Sequence, residues 1–510
     1  MQDDAQSLSR SETEPASHSS SVIPQFSPSV RWSIFVVLAL LALAIRLPQL
    51  GTRPMHTDES INGYIIGDII AGHGYHYDPQ DRHGPVLYAV AAPIARLLGA
   101  HHLADLTETE LRLTPVIIGS ATVLLLGAGV ELFGFIPCLV AALLLAIAPL
   151  PVYYSRYFIH ETLFVAATLG LIVTGWRAWQ KNSTVNAVLA GLCAGLMFAA
   201  KETSVIHFFA LGIALICRWS LPPRQKSPSA KIVAITGGVF IFVSLLLFTW
   251  FGQNWSVFTD LWHAVPRFAG RAGGEGHQKP FGYYFHLLDP MLVLFIVAAG
   301  GVYAAICDAV NGNRKPTLML VIYGLAVFLI YSFIPYKTPW LALNMWLPLA
   351  LICGLGVAAF REHIKGTAAP WILGIAGAFL LVVLSSQTKL LVFDHPFDEK
   401  NPLAYAHTTD DLLGLPPRLE ELTKLNHLAQ PKIAVIAADC WPLPWYLRKF
   451  ANVGYWQPSQ DAGAADFFIT STDLTDALKE QFKNYRPEFF GVRPGVLVIL
   501  WIPPQMKKAG

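Results

Sequence analysis

The chain is predicted to be an α-helical polytopic membrane protein with about eleven transmembrane helices and a small α/β domain at its C-terminal end. Three observations predict it. Of 510 residues, 54% are apolar and only 14% charged, against about 25% charged in an ordinary soluble domain. The apolar residues come in long blocks, such as WSIFVVLALLALAIRL from Trp32 and ITGGVFIFVSLLLFTWF from Ile235, and the mean hydropathy is +0.46. From about Phe393, Pro, Asp, His and Lys return and the apolar runs shorten. This composition excludes a soluble enzyme and a disulfide-rich secreted domain. A net charge of +2 with no basic, aromatic-interleaved patch excludes a nucleic-acid partner. Five of the six cysteines sit in apolar runs and no CxxC pair occurs, so a zinc–thiolate site has no support.

In chain order, residues 1–31 are Ser-rich and polar, cannot bury a core, and read as a disordered cytoplasmic tail. The run 32–50 ends in RLPQLG with no small-residue cleavage site, as expected of a retained signal-anchor helix. Further spans are expected at 112–130, 136–154, 160–178, 187–200, 203–218, 232–251, 290–308, 317–335, 340–359 and 370–389. Most approach the ~20 residues that a bilayer core demands. The segment 84–99 is short and holds Pro85, Pro93 and Arg96. A lipid-exposed Arg at mid-bilayer costs about 2.5–3.5 kcal/mol, so this segment is expected to lie along the membrane surface.

Loop charge supports that choice. The loops 176–187, 218–231, 309–316 and 361–369 are short and rich in cations (Arg177, Lys181; Arg218, Arg224, Lys226, Lys231; Arg314, Lys315; Arg361, Lys365), as cytoplasmic loops of a cytoplasmic-membrane protein are. Parity then places 51–111, 153–160, 201–203, 252–289 and 335–339 together on the outer side. A transmembrane domain over 32–392 and an extracytoplasmic α/β domain over 393–510 result. In the latter, PKIAVIAA, ADFFITS and GVLVILWI read as buried strands of a partly parallel sheet. LPWYLRKF and LTDALKEQFKNY read as the helices between them.

The chemistry-bearing residues crowd the outer loops. Asp58 and Glu59, with His56 beside them, follow the first span. A partly desolvated carboxylate there can serve as general base on a hydroxyl, or the pair can simply cap a helix. Arg156, His160 and Glu161 stand together in SRYFIHETLF, where Glu161 also suits a helix dipole. Lys201 and Glu202 lie between two short apolar runs, either as snorkelling ends or as a polar site inside the bundle. Arg267 and Arg271 occur among aromatic residues in loop 252–289, a pattern that suits an interfacial lid over an anionic lipid head group or an ordinary aromatic belt. In SFIPYKTPW, Tyr336 and Lys337 sit in a tight turn whose cation could neutralise a phosphate leaving group or merely end two helices. Histidines 56, 73, 76, 83 and 160 share the outer side and could bind a divalent metal ion, though their spacing matches no metal motif.

Together MHTDESINGY, RHGPVLY, RLTPVIIGS, SRYFIHETLF, AAKETSVI, PYKTPWLALNMWLP and DCWPLPWYLRKFANVGYW resemble the GT-C superfamily of polyprenol-dependent membrane glycosyltransferases. Within it they look most like the flippase-activity-associated proteins, relatives of the protein O-mannosyltransferases and aminoarabinose transferases. The resemblance implies an inverting transfer of one sugar from a polyprenyl-phosphate donor to an acceptor that is a protein, lipid or glycan. It also implies that Asp58 acts on the acceptor with Glu59 in support. Glu161 occupies the second-loop acidic position, which is usually Asp. The rival expectation is a protein that translocates polyprenyl-linked sugars without transferring them, which would line a path between spans with charge.

Overall fold

Backbone in lipid must pair its own N–H and C=O groups, so apolar runs fold as helices, and each of the expected spans but 136–154 lies on a single one. The computed structural model describes residues 26–80, 82–220, 227–274, 276–289, 292–312, 316–363 and 368–507. Most of the tail expected to be disordered lies outside the described residues, as do Asp81 and the loop cations Arg224, Lys226, Arg314, Lys315 and Lys365.

Helix α1 (Pro28–Arg46) leads to α2 (Thr57–Ile70) and α3 (Val86–Leu97), which precede α4 (Glu108–Phe133). Then come α5 (Phe135–Ile147), α6 (Pro149–Tyr154), α7 (Glu161–Lys181), α8 (Thr184–Phe198), α9 (Ser204–Ser220) and α10 (Ala230–Phe248). After α11 (Val257–Ala272) and α12 (Tyr283–Leu288), the bundle is completed by α13 (Val293–Val310), α14 (Thr317–Phe333), α15 (Ala342–His363) and α16 (Ala368–Thr388). Among the described residues, seven helices are long and apolar enough to cross a membrane by length and composition. Four of the expected spans, on α5, α8, α9 and α14, form helices of 13, 15, 17 and 17 residues. With 12 residues, α3 is about 18 Å long at 1.5 Å per residue.

Two expected spans are corrected. The first helix ends at Arg46: the Leu47 N–H still donates to Leu43 O at 3.0 Å, and Pro48 has no N–H to carry the ladder further. The run 136–154 breaks at Ala148–Pro149, where the proline lacks the N–H that would continue the ladder. The buried Arg46 guanidinium satisfies the carbonyls freed there. It donates to Leu145 O at 2.6 Å, Ala146 O at 3.0 Å and Ser155 Oγ at 2.6 Å, tying α1 to the break.

The C-terminal part holds α17 (Leu415–Leu425), β1 (Lys432–Ile436), α18 (Leu443–Tyr446), β2 (Asn452–Trp456), β3 (Phe467–Ser471), α19 (Asp476–Gln481), β4 (Arg486–Arg493) and β5 (Val496–Ile502). The sheet order is β2-β1-β3-β5-β4, with β1 parallel to both β2 and β3 and β5 antiparallel to β3 and β4. The three strands expected from sequence are β1, β3 and β5. The additional strands, β2 and β4, sit at the two edges. This sheet unit is seated on α2. The indole of Trp445 packs against Gly63, where an added Cβ would come within 2.6 Å of the ring, and its Nε1 donates to Glu108 at 2.7 Å. Met55 N donates to Tyr446 Oη at 2.7 Å, and Thr408 Oγ1 donates to Met55 O at 2.7 Å.

Candidate active site

Helix α2 begins with a reciprocal cap. The Asp58 N–H donates to His56 Nδ1 at 3.1 Å, and the His56 N–H donates to Glu59 Oε2 at 3.2 Å. Consecutive helical residues point about 100° apart, so the two carboxylates part company. Asp58, its side chain 44% exposed, faces a cavity of about 760 Å³. Glu59 turns into the protein and is fully buried. There it accepts from Arg112 Nε and Nη2, both at 2.8 Å, from Arg53 Nη2 at 3.3 Å and from the Phe158 N–H at 2.9 Å. Burial alone would raise the Glu59 carboxyl, but Arg112 and Arg53 reverse this and hold it well below the carboxylate range.

The cavity wall is assembled from loops far apart in sequence. His83 Nδ1 and Glu202 Oε2 are 2.9 Å apart, and Tyr77 Oη donates to Glu202 Oε1 at 3.0 Å. Burial would raise the Glu202 carboxyl, yet His83 and these hydrogen bonds bring it below its ordinary value. The Lys201 ammonium donates to Glu161 Oε1. Burial would lower Lys201, and the Glu161 carboxylate beside it more than offsets this, so Lys201 keeps its proton more firmly than a free lysine. His160 sits at the start of α7, with Nε2 3.2 Å from Gly84 O and its ring edge-on to those of His83 and Tyr88. Desolvation, with His83 and Lys201 nearby, keeps it neutral. Asn62 and Tyr336 line the same space. So does Arg271, whose Nη2 donates to Gln80 O at 2.8 Å. Apolar walls come from Phe198, Val205, Phe248, Leu261, Phe268 and Trp340. All five loops that parity placed on one side contribute to this cavity.

Of the site residues expected from sequence, Asp58, His160, Glu161, Lys201, Glu202, Arg271 and Tyr336 meet here. The others need correction. Glu59 is locked in its arginine clamp, and His56 caps α2. Arg156 is buried against the Phe393 ring at 4.5 Å and donates to Gln49 O. Arg267 is not part of the wall. The Lys337 ammonium donates to the carbonyl oxygens of Lys279 (3.3 Å) and Ile334 (2.5 Å), closing a turn, and does not line the cavity. Sequence reasoning left Asn62 and Tyr77 unmarked. An Asn or Tyr in a polar loop carries no signal of its own, and only the meeting of 77–83 with 201–202 gives Tyr77 a role.

A divalent metal ion does not fit the donors as they stand. Among the described residues no group of three or more His, Cys, Asp or Glu side chains could hold one. Of the five histidines only His83 and His160 come together, His76 is hydrogen-bonded to Asn254 at 2.6 Å, and both glutamates of the wall already have partners.

This bundle, with its sheet-bearing C-terminal part, has the GT-C fold of membrane glycosyltransferases. It aligns with ArnT from Cupriavidus metallidurans bound to undecaprenyl phosphate at a TM-score of 0.61 and 14% identity, over 91% of this chain and 97% of that one. For AglB from Archaeoglobus fulgidus, in complex with an inhibitory peptide and a dolichol-phosphate, the TM-score is 0.58 at 13% identity, over 92% and 74%. The arabinofuranosyltransferase AftD from mycobacteria gives 0.50 and 14%, over 94% and 40%. Residues 82–248 are similar to the dolichyl-phosphate-mannose-protein mannosyltransferase family. No curated protein matches the sequence.

Proposed function

We propose that this chain is an integral-membrane glycosyltransferase that moves a sugar from a polyprenyl-phosphate donor to an acceptor hydroxyl, with inversion, at the extracytoplasmic face. One observation carries the assignment of roles. Of the three carboxylates on the cavity wall, Glu161 is held by Lys201 and Glu202 by His83 and Tyr77. Asp58 faces the cavity beside His56, whose Nδ1 is already spent on the helix cap. Asp58 is therefore the group able to take a proton. As the acceptor hydroxyl gives its proton to Asp58, its oxygen bonds to the anomeric carbon. The carbon–oxygen bond to the phosphate breaks in line, and the electron pair leaves on the polyprenyl phosphate. Arg271 and Lys201 lie where they can meet the growing phosphate charge.

The similarity to proteins whose structures hold undecaprenyl phosphate and dolichol-phosphate supports a prenyl-phosphate donor. So does an apolar wall on a cavity walled by helices of the bundle, where a lipid tail can stay in the bilayer while its head reaches Asp58. Helix α11 is the lid of this reading. Leu261, Ala264, Val265 and Phe268 line the cavity, while Trp262 is 77% exposed, suited to the membrane surface. Closeness to the flippase-activity-associated proteins rests on the sequence motifs.

The test is transfer in proteoliposomes supplied with radiolabelled polyprenyl-phosphate sugars and membrane extract. Asp58→Asn is expected to lower turnover by about 10²–10⁴-fold while leaving the protein folded. Donor translocation without transfer in the wild type would replace this reading with the transport one.

A further inference from the structure

The Glu161–Lys201 pair bears on a question that the transferase reading leaves open, namely whether the site needs a divalent ion beside its own cations. Lys201 lies in the short connection between α8 and α9 and is 8% exposed. An ammonium has three N–H donors and no acceptor. Among the described residues only Glu161 receives one of them, so two donors remain on a buried side chain that lines the cavity. A buried ammonium with donors to spare is costly unless something takes them. The chemistry that suits them is an anionic oxygen.

The same pair leaves little room for a metal. A divalent ion beside Glu161 would have to displace the ammonium or share the carboxylate with it, placing like charges together where little water screens them. Of the remaining wall ligands only Asp58 is uncommitted, and among the described residues no group of three such ligands forms, too few to hold a divalent ion. Glu202 holds His83 and Tyr77, and His160 Nε2 faces Gly84 O. We infer that Lys201 is the resident cation of this site: it occupies the place a divalent ion would take beside Glu161, turns its two remaining donors to the donor's phosphate, and makes transfer independent of metal. Glu161 is then a positioning residue that aims the ammonium. The inference rests on the proposed transferase reading.

Full-length protein in lipid nanodiscs tests it, with undecaprenyl phosphate as the probe for the phosphate site and Mn²⁺ as the probe for a divalent ion. The wild type is expected to bind undecaprenyl phosphate equally in EDTA and in Mn²⁺, with no stoichiometric loss of the free Mn²⁺ paramagnetic resonance signal. Combining Lys201→Met with Glu161→Gln removes the pair without stranding a buried charge. It is expected to weaken binding of the probe about tenfold or more. Wild-type binding that requires Mn²⁺, or a stoichiometric Mn²⁺ site lost in Glu161→Gln, would overturn the inference and leave the transferase reading standing. Unchanged affinity in a folded double variant would overturn it too. If the double variant does not fold, the wild-type comparison decides alone. Failure of the wild type to bind the probe in either condition would remove the donor reading itself, and the inference with it.

Discussion

At the scale of single residues, adjacent carboxylates do opposite work here because the helix turns them apart. Glu59 faces two guanidinium groups in the buried interior, and Asp58 faces a cavity. Removing one member of a buried charged cluster strands the others. Glu59→Gln is therefore expected to cost about 3–5 kcal/mol, read as a lower thermal midpoint in detergent and less recoverable protein. The half-exposed Asp58→Asn should stay within about 0.5 kcal/mol of wild type. Stability should also depend on pH in a definite direction. Desolvation, the largest cause in each case, holds His56, His160 and His407 below the ordinary imidazole value of 6.5. Groups with depressed folded values contribute stability that is complete above the unfolded value and lost as pH falls below it. Midpoints should be flat above about pH 7.5 and fall progressively below about pH 6.5. A midpoint that rises on acidification would contradict the burial of these rings as neutral groups. The sequence flagged the DE pair but could not divide its labour, since orientation depends on where Arg112, half a hundred residues away, comes to lie.

Between elements, the site depends on a close backbone approach. The segment before α3 lies against the end of α8, with the Val86 N–H donating to Ala199 O at 3.0 Å. A Cβ on Gly84 would stand 2.2 Å from that carbonyl oxygen. Neither side is a flexible side chain, so Gly84→Ala must push the loop away. It is expected to cost about 1–3 kcal/mol and to draw His83 from Glu202, lowering transfer beyond what lost stability explains. Gly212→Ala in α9, where an added Cβ meets nothing within 4 Å, is the control and should be close to neutral in both assays. Elements differ in how plainly the sequence announces them. Spans and the central strands β1, β3 and β5 are continuous apolar runs because both faces are covered. The edge strands carry no such run. In β2 Gly454 interrupts the pattern, and in β4 Pro487 and Gly491 do.

For the molecule as a whole, the C-terminal sheet unit acts as the roof support of the site, because it holds the segment from Met55 to Gly63 that carries Asp58. Trp445 is fully buried at that junction. Trp445→Ala is expected to cost about 3–5 kcal/mol and to leave Glu108 without its indole donor. Limited proteolysis, compared between wild type and variant, should show earlier cleavage near 393–415 as the unit loosens. The sequence by itself determined the membrane class, the place of each apolar run, the buried strands and the set of loops that share a side. Each of these follows from local composition and from the cost of placing charge or unpaired backbone in lipid. Which charges do chemistry was decided by tertiary structure alone. Lys337, Arg156 and Glu59 are as polar in sequence as Lys201, Arg271 and Asp58. Whether such a group is consumed by a carbonyl, clamped by a counter-charge or turned to a cavity depends on neighbours that only long-range packing brings within hydrogen-bonding distance.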